Sequence, residues 1–395
     1  MSDWTNVRLG DVTELFDSKR IPLSGIERSS RQGAFPYYGA SGIIDFIDDY
    51  IFDGRYLLVA EDGENLNSRK LPVAFFADGR FWVNNHAHIV RGKTDVLDDV
   101  FLQQWFAQAD ISGYITGAAQ PKLSQANLKR VELQLPPLST QRKIAAILRS
   151  YDDLIENNKH RIQILDEMAQ RIYREWFVAF RYPGHKDVPL VDSELGPIPA
   201  RWSVASLSTL ARITMGQSPP SSAYNTECAG LPFHQGVGTY GTHFPVHDVY
   251  STAGTRTAND GDTLVSVRAP VGRINIADRR MILGRGVCGV RSDGAPGEFL
   301  LHALTHFFRE EDVMGNGAIF KSVTKRDVEG LQLVWPGVTL AEHFSGLVRP
   351  MWRELRLLTQ TSETLRATRD LLLPRLISGE INVADLDVAA PEFAV

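Results

Sequence analysis

At 395 residues the chain exceeds what one hydrophobic core usually spans, so two globular domains are expected. Its 43% hydrophobic and 23% charged residues, without low-complexity tracts, exclude a disordered or fibrous chain. A net charge of -5 argues against a protein that wraps nucleic acid by bulk charge, so any nucleic-acid surface must be local, and the lack of a signal-peptide layout or of an apolar run of about 18 residues leads us to expect a cytoplasmic protein.

Residues 1–138 read as short strands and turns with some helix. Arg55–Ala60, Val73–Ala77 and Phe81–Val83 have the apolar, β-branched and aromatic character of buried strands, and Asp99–Gln108 reads as a short helix. Within this stretch Gly92-Lys93-Thr94 matches the end of a phosphate-binding loop, but Ala87 stands where the first glycine is required, which argues against nucleotide binding. His86 and His88 alternate on one strand without a further ligand cluster, so no metal site is expected. Cys228 and Cys288 are read as free thiols.

From Ser139 to about Phe180 no glycine or proline interrupts the chain, and apolar residues recur in steps of four and three at Ile144, Leu148, Tyr151, Ile155, Ile162, Leu165, Ala169, Ile172 and Trp176, with Asn158 as a polar member. This heptad seam predicts a coiled-coil helix about 60 Å long. A second helix repeats the register with Phe344, Val348, Met351, Leu355, Leu358, Leu365, Leu372 and Leu376, Ser362 and Arg369 being its polar members. Pro350 is expected to kink it, and Pro374 to bend or end it.

The chain is a duplicated unit. Leu123-Ser-Gln-Ala-Asn-Leu128 is echoed by Val323-Thr-Lys-Arg-Asp-Val328, each taken as the opening of a long helix. Val131/Leu331, Leu133/Leu333 and Pro136/Pro336 continue the match, and Trp4/Trp202, Leu9/Leu207 and Val12/Leu210 mark the two starts. Asp53-Gly54 followed by Leu57-Leu58 corresponds to Asp260-Gly261 followed by Leu264-Val265. The fold class expected is α+β: two similar α/β domains separated by two long helices that form an antiparallel coiled coil about a pseudo-two-fold axis. Such a duplicated chain suits a ligand with approximate two-fold symmetry, of which double-stranded DNA is the commonest.

The residues offer no catalytic constellation, and the Asn/Asp-Pro-Pro-aromatic tetrapeptide of amino-methyltransferases is absent. What remains are polar and aromatic loops whose side chains can reach base edges or phosphates. Candidates in the first half are Lys19, Arg20, Arg28, Arg31, Tyr37, Tyr38, Asn84, Asn85 and Lys122, and in the second Arg268, Arg273, Arg285 and Lys321. Nearby in sequence, Lys19, Arg20, Arg28 and Arg31 face one acid, Glu27, while Arg268, Arg273, Arg279, Arg280, Arg285 and Arg291 face Asp278 alone.

Three strings, Leu135-Pro-Pro-Leu-Ser-Thr-Gln-Arg-Lys-Ile-Ala-Ala-Ile-Leu148, Asp152-Asp-Leu-Ile-Glu-Asn-Asn158 and Tyr173-Arg-Glu-Trp-Phe177, resemble the central region of the specificity subunits of type I restriction-modification systems. Leu371-Leu-Leu-Pro-Arg-Leu-Ile-Ser-Gly-Glu-Ile381 is similar to that family's terminal block. The resemblance implies target-recognition domains at 1–138 and 182–338, a central helix at 139–181, a C-terminal helix at 339–382 and a tail at 383–395. It further implies a non-catalytic subunit that reads a bipartite double-stranded DNA target, one half per domain, with the coiled coil setting the spacer. Two methyltransferase subunits, carrying the S-adenosylmethionine that this chain does not bind, would dock on it, and motor-nuclease subunits would join for cleavage. In the second copy Pro336-Gly-Val338 and Ala341-Glu-His343 replace Pro136-Pro-Leu138 and Gln141-Arg-Lys143, a departure at the start of the second helix. The alternative from another class is a coiled-coil scaffold whose end domains bind proteins without touching DNA.

Overall fold

The computed structural model describes residues 3–117, 119–309 and 323–387, a mixture of helix and sheet. The chain divides into two compact units, one formed by Met1–Asn158 with Gln360–Val395 and the other by Lys159–Thr359.

In the first unit β1 (Thr5–Arg8) pairs antiparallel with β10 (Glu132–Leu135), so the start of the unit is tied to the strand that leads into the long helix. A four-stranded sheet follows the order β2 (Thr13–Leu15), β9 (Ala87–Gly92), β6 (Tyr56–Ala60), β7 (Ala74–Ala77). A second sheet has the order β4 (Gly42–Ile47), β3 (Gln32–Gly39), β8 (Arg80–Val83), β5 (Phe52–Asp53). β6 is buried along its whole length because both its faces are covered. Leu57 and Val59 point into a core with the helix Asp99–Gln108, while Leu58 points into an aromatic layer with Phe52 and Phe81. That helix starts where Asp98 accepts hydrogen bonds from the amides of Val100 and Phe101, a cap that stabilises it by about 1 kcal/mol.

The second unit repeats this plan. β13 (Ser203–Ser206) pairs with β23 (Gln332–Trp335), as β1 does with β10. A four-stranded sheet runs β14 (Ala211–Met215), β22 (Val287–Ser292), β19 (Thr263–Ser266), β20 (Ile274–Ile276). A further sheet runs β15 (Tyr224–Asn225), β17 (Tyr250–Ser251), β16 (Leu231–His234), β21 (Met281–Leu283), β18 (Thr257–Ala258), and β11 (Leu190–Val191) with β12 (Ile198–Pro199) makes a separate pair. Thr13 lies opposite Gly92, and Ala211 opposite Ser292, so the duplication extends to strand register. One sequence match shifts. Leu57 faces Val90 as Thr263 faces Val290, so Leu57 corresponds to Thr263 and Leu58 to Leu264. A one-residue slip exchanges the faces of a strand, so matching by the preceding Asp-Gly pair placed the residues on the wrong sides.

The repeated Ser/Thr motifs do not open the long helices. Ser124 and Thr324 cap the short helices Gln125–Arg130 and Lys325–Glu329, accepting from the amides of Asn127 and Asp327. A strand intervenes before each long helix begins, at Leu138 and Val338. The first long helix, Leu138–Tyr173, gives way at Arg174–Val178 to a wider π turn, and so ends as an α-helix earlier than its sequence pattern suggests. The second, Val338–Ile377, is helical through Pro350 and Pro374. Pro350 therefore removes one backbone donor without ending the helix, and the stop comes at Gly379, whose φ of 75° suits a glycine.

Burial along both helices follows the heptad seam. Ile144, Leu148, Ile155, Asn158, Ala169, Trp176, Phe344, Val348, Leu355, Leu358 and Ser362 are buried, and Tyr151, Ile162, Leu165, Ile172, Met351, Leu365, Arg369 and Leu372 are half-buried, Leu373 being buried beside the last. Within the first unit Arg369 forms an ion pair with Asp152, and Lys143 donates to the carbonyl of Ala384. Within the second unit Arg161 pairs with Glu354 at 2.6 Å, and Trp176 packs edge-on against Phe344. In the second unit, advancing along the first helix from Arg161 to Trp176 pairs with retreating along the second from Glu354 to Phe344, so these segments run antiparallel. Among the described residues no helix is long and apolar enough to cross a membrane.

Candidate nucleic-acid interface

Three loops converge at one end of the four-stranded sheet in the first unit. The Glu61 amide donates to the His86 carbonyl at 2.9 Å, joining the end of β6 to the β8–β9 turn, and the Leu123 amide donates to the Glu61 carbonyl at 2.8 Å, adding the segment before the capped helix. The second unit repeats the arrangement: Val267 donates to Gly286 at 2.9 Å, and Val323 donates to Val267 at 2.9 Å. These hydrogen bonds make Glu61 equivalent to Val267, and His86 to Gly286.

What the loop ends carry differs sharply. In the first unit Asp17, Arg20, Glu61, His88, Lys122 and Gln125 form one polar network. Arg20 reaches Glu61 at 2.6 Å and the Ala87 carbonyl at 2.8 Å, and Lys122 reaches Glu61 at 3.2 Å. The fully buried His88 ring lies 2.6 Å from Asp17 through Nδ1 and 2.7 Å from the Leu123 carbonyl through Nε2. Burial by itself would raise the Asp17 carboxyl, but hydrogen bonding and charge from His88, the Ile89 amide and Arg20 outweigh it and hold the group below its ordinary 3.8. Asp17, Glu61 and His88 lie close enough to share a metal ion, with ligand atoms within 4.8 Å of one another. Arg20, Lys122, Gln125 and the Ile89 amide already engage the two carboxylates, and His88 Nε2 faces the Leu123 carbonyl, so the cluster is held as an ion-pair and hydrogen-bond network. Asp62 pairs with His86 at 2.8 Å just outside it.

In the second unit Met215, Val267 and Cys288 fill the positions of Asp17, Glu61 and His88 within an apolar core. Burial pushes the Cys288 thiol up to about 12, so it is an inert packing group, and both cysteines are free. Around this core Arg268, Arg273 and Arg285 are exposed and carry no ion pair among the described residues. The Val267–Gly286 hydrogen bond brings the loop of Arg268 to that of Arg285, and the Ser266 amide donates to the Arg273 carbonyl at 2.9 Å. Gly286 is required there, because a Cβ would lie 2.3 Å from the Gln235 carbonyl. Gln235 and Gln217 are exposed beside Arg285, held by Gly286-to-Gln235 and Gln217-to-Leu283 backbone bonds. Both glutamines can pair with adenine, and sequence reasoning missed them. The Gly284-Arg285-Gly286 turn was the available signal, since glycines on both sides mark a close backbone approach.

The first-unit candidates contract. Tyr37 has no exposed surface; it lies in a small core, its hydroxyl accepting from the Leu23 amide. Asn84 is buried, its side-chain oxygen accepting from the His86 amide, and Tyr38 is half-buried against Phe75 and Phe81. Arg20 is held in the network, Arg28 pairs with Asp45 at 3.0 Å, and Arg31 pairs with Asp48 at 2.9 Å while stacking on Trp82. The basic cluster seen along the sequence is therefore neutralised by acids that strand pairing brings in from later in the chain. Lys19, Asn85 and Lys122 are the first-unit candidates whose side chains stand exposed. Arg279 and Arg291 are likewise engaged, with Asp278 and Asp262. Lys321 lies outside the described residues.

Comparison with known proteins identifies the family to which this duplicated mixed fold belongs. Residues 1–167 match the family model described as the type I restriction modification DNA specificity domain. A Methanocaldococcus jannaschii protein described as a type I restriction enzyme specificity subunit is 31% identical over 292 residues, 72% of this chain and 68% of that protein. A Haemophilus influenzae protein with a corresponding description is 26% identical, over 68% of this chain and 67% of that protein. The crystal structure of a type I restriction-modification S subunit from M. genitalium is similar in fold, with a TM-score of 0.66 at 14% identity, covering 95% of this chain and 96% of that one. The chain belongs to the specificity subunits of type I restriction-modification systems.

Proposed function

We propose that this chain is a non-catalytic DNA-recognition subunit in which each unit reads one half of a bipartite target. The observation that carries this reading is the duplication in register combined with dissimilar loop ends. Two equivalent scaffolds present Lys19 and Asn85 in one case, with Lys122 exposed but paired with Glu61, and Arg268, Arg273, Arg285, Gln217 and Gln235 in the other. Equivalent scaffolds supply equivalent placement against a duplex, and different side chains supply different base preferences. The buried heptad seams, antiparallel where Arg161 and Trp176 meet Glu354 and Phe344, support the reading of the long helices as a coiled coil that sets the spacer between half-sites. Two methyltransferase subunits, which bring S-adenosylmethionine, dock on this chain, and motor-nuclease subunits complete the cleaving complex.

Exchanging residues 1–138 for the corresponding part of a relative tests the reading. Methylation mapping of genomic DNA should show one half of the recognised sequence replaced and the other retained. A change in both halves would refute modular recognition. Complexes of the chain with its methyltransferase that bind all duplexes equally, or none, would favour the protein-scaffold alternative.

A further inference from the structure

The second unit holds a cleft of about 310 Å³ away from the three convergent loops. Phe244, Leu301 and Trp352 give it an apolar lining, and Arg349, Arg353 and Arg356 of the second long helix line it with guanidinium groups. Two of the arginines are committed. Arg349 grips Glu298 through two hydrogen bonds of 2.6 and 3.2 Å, and Arg356 bonds Asp260 at 2.8 Å and the Asp278 carbonyl. Trp352 is fixed by donating from its indole nitrogen to His302 Nε2 at 3.1 Å. Arg353 is exposed and has no ion pair among the described residues.

The corresponding face of the first long helix has the opposite character. Two hundred positions earlier, as the seam pairs Ile144/Phe344 and Leu148/Val348 require, stand Asp152, Asp153 and Glu156 in place of Trp352, Arg353 and Arg356. Asp152 is bound by Arg369, and the exposed Asp153 lies 3.6 Å from Arg149. A partner surface that satisfies an unpaired guanidinium beside an indole meets carboxylates at the equivalent place, where it would be repelled.

We propose that the Trp352–Arg353 cleft anchors a carboxylate-bearing segment, with a neighbouring apolar side chain, from one methyltransferase subunit, so that two identical subunits dock through chemically different contacts. This rests on the proposed partner reading. The free arginine supplies charge complementarity, and the fixed indole supplies a rigid apolar anchor. Tryptophan and arginine are the residue types most often dominant in protein interfaces.

The test titrates the methyltransferase subunit encoded with this chain against the full-length chain, using native mass spectrometry to count bound copies. The wild type should bind two. Arg353→Glu should weaken one of the two binding steps by roughly ten-fold or more and leave the other unchanged, while Arg353→Lys should retain most of the affinity. Arg353 is exposed, so its reversal should not disturb folding, and circular dichroism of the variant checks that. Asp153→Arg should leave the Arg353-dependent step intact. Failure of the wild type to bind any methyltransferase would overturn the partner reading itself. Two copies bound by Arg353→Glu with wild-type affinities would overturn the anchor alone, as would equal weakening of both steps.

Discussion

His88 and Cys288 occupy the same register position in the two units: His88 faces Val59 across the sheet as Cys288 faces Val265. One anchors buried charges, and the other packs among apolar side chains. The two scaffolds are thus equivalent in backbone and different in what holds their loop ends, a difference that bears on stability as well as recognition.

Asp17→Asn should destabilise the first unit by roughly 3 kcal/mol or more, because it leaves buried partners without their charge. Hydrogen exchange should show the loss in strands β2, β6 and β9, with β14, β19 and β22 unaffected. A loss spread evenly over both units would contradict the network's local role.

Acidification should act on the units in opposite directions. Burial lowers His234 and His302 from 6.5 to about 4, the neighbouring His247 and Arg309 respectively adding to the effect. An unfolded chain takes up these protons near pH 6.5 and the folded unit only near 4, so the second unit loses stability as pH falls between those values, by roughly 3 kcal/mol at most per histidine. In the first unit burial, opposed by a hydrogen bond from the Gly92 amide, raises Asp99 from 3.8 to about 6. Its folded form holds a proton that the unfolded chain has lost, so the same fall in pH stabilises that unit. Asp17, held below 3.8, loses its contribution only at still lower pH. Hydrogen exchange corrected for intrinsic rates, compared at pH about 6.5 and about 4.5, should show protection falling in the second unit and rising around Asp99 in the first; the reverse would contradict these assignments.

Arg268→Ala or Arg285→Ala should relax preference at a base position by roughly 1 to 3 kcal/mol if the arginine reads a base edge. Selection from a randomised library separates this from uniform weakening, which would assign the residue to phosphate. Arg28→Ala, which breaks the pair with Asp45, should leave base preference unchanged.

Deleting one heptad from each long helix should remove about 10 Å of helix while keeping the seams in phase. At about 3.4 Å per base pair the favoured spacer should change by roughly three base pairs, with the half-sites retained. A library of fixed half-sites and variable spacers would show an unchanged optimum if the helices do not set the distance.

The duplication, the long helices and the polar seam residues Asn158 and Ser362 were legible in the sequence, because heptad spacing is a local pattern set by backbone geometry, whereas the Ser/Thr motifs taken to open the long helices cap separate short ones. The helix Asp99–Gln108 was equally legible from its polar start and apolar run. The candidate site was legible only in part. Strand pairing decided that Arg28 and Arg31 are spent on Asp45 and Asp48, that Tyr37 is core, and that Arg268, Arg273 and Arg285 carry no ion pair among the described residues. Whether a charged side chain is available depends on which acids lie beside it in space, and those partners lie 17 residues away for Arg28 and 41 for Arg20. Sequence determined the repeat and its helices through short-range periodicity; the tertiary structure decided which charges remain for a ligand, through long-range pairing.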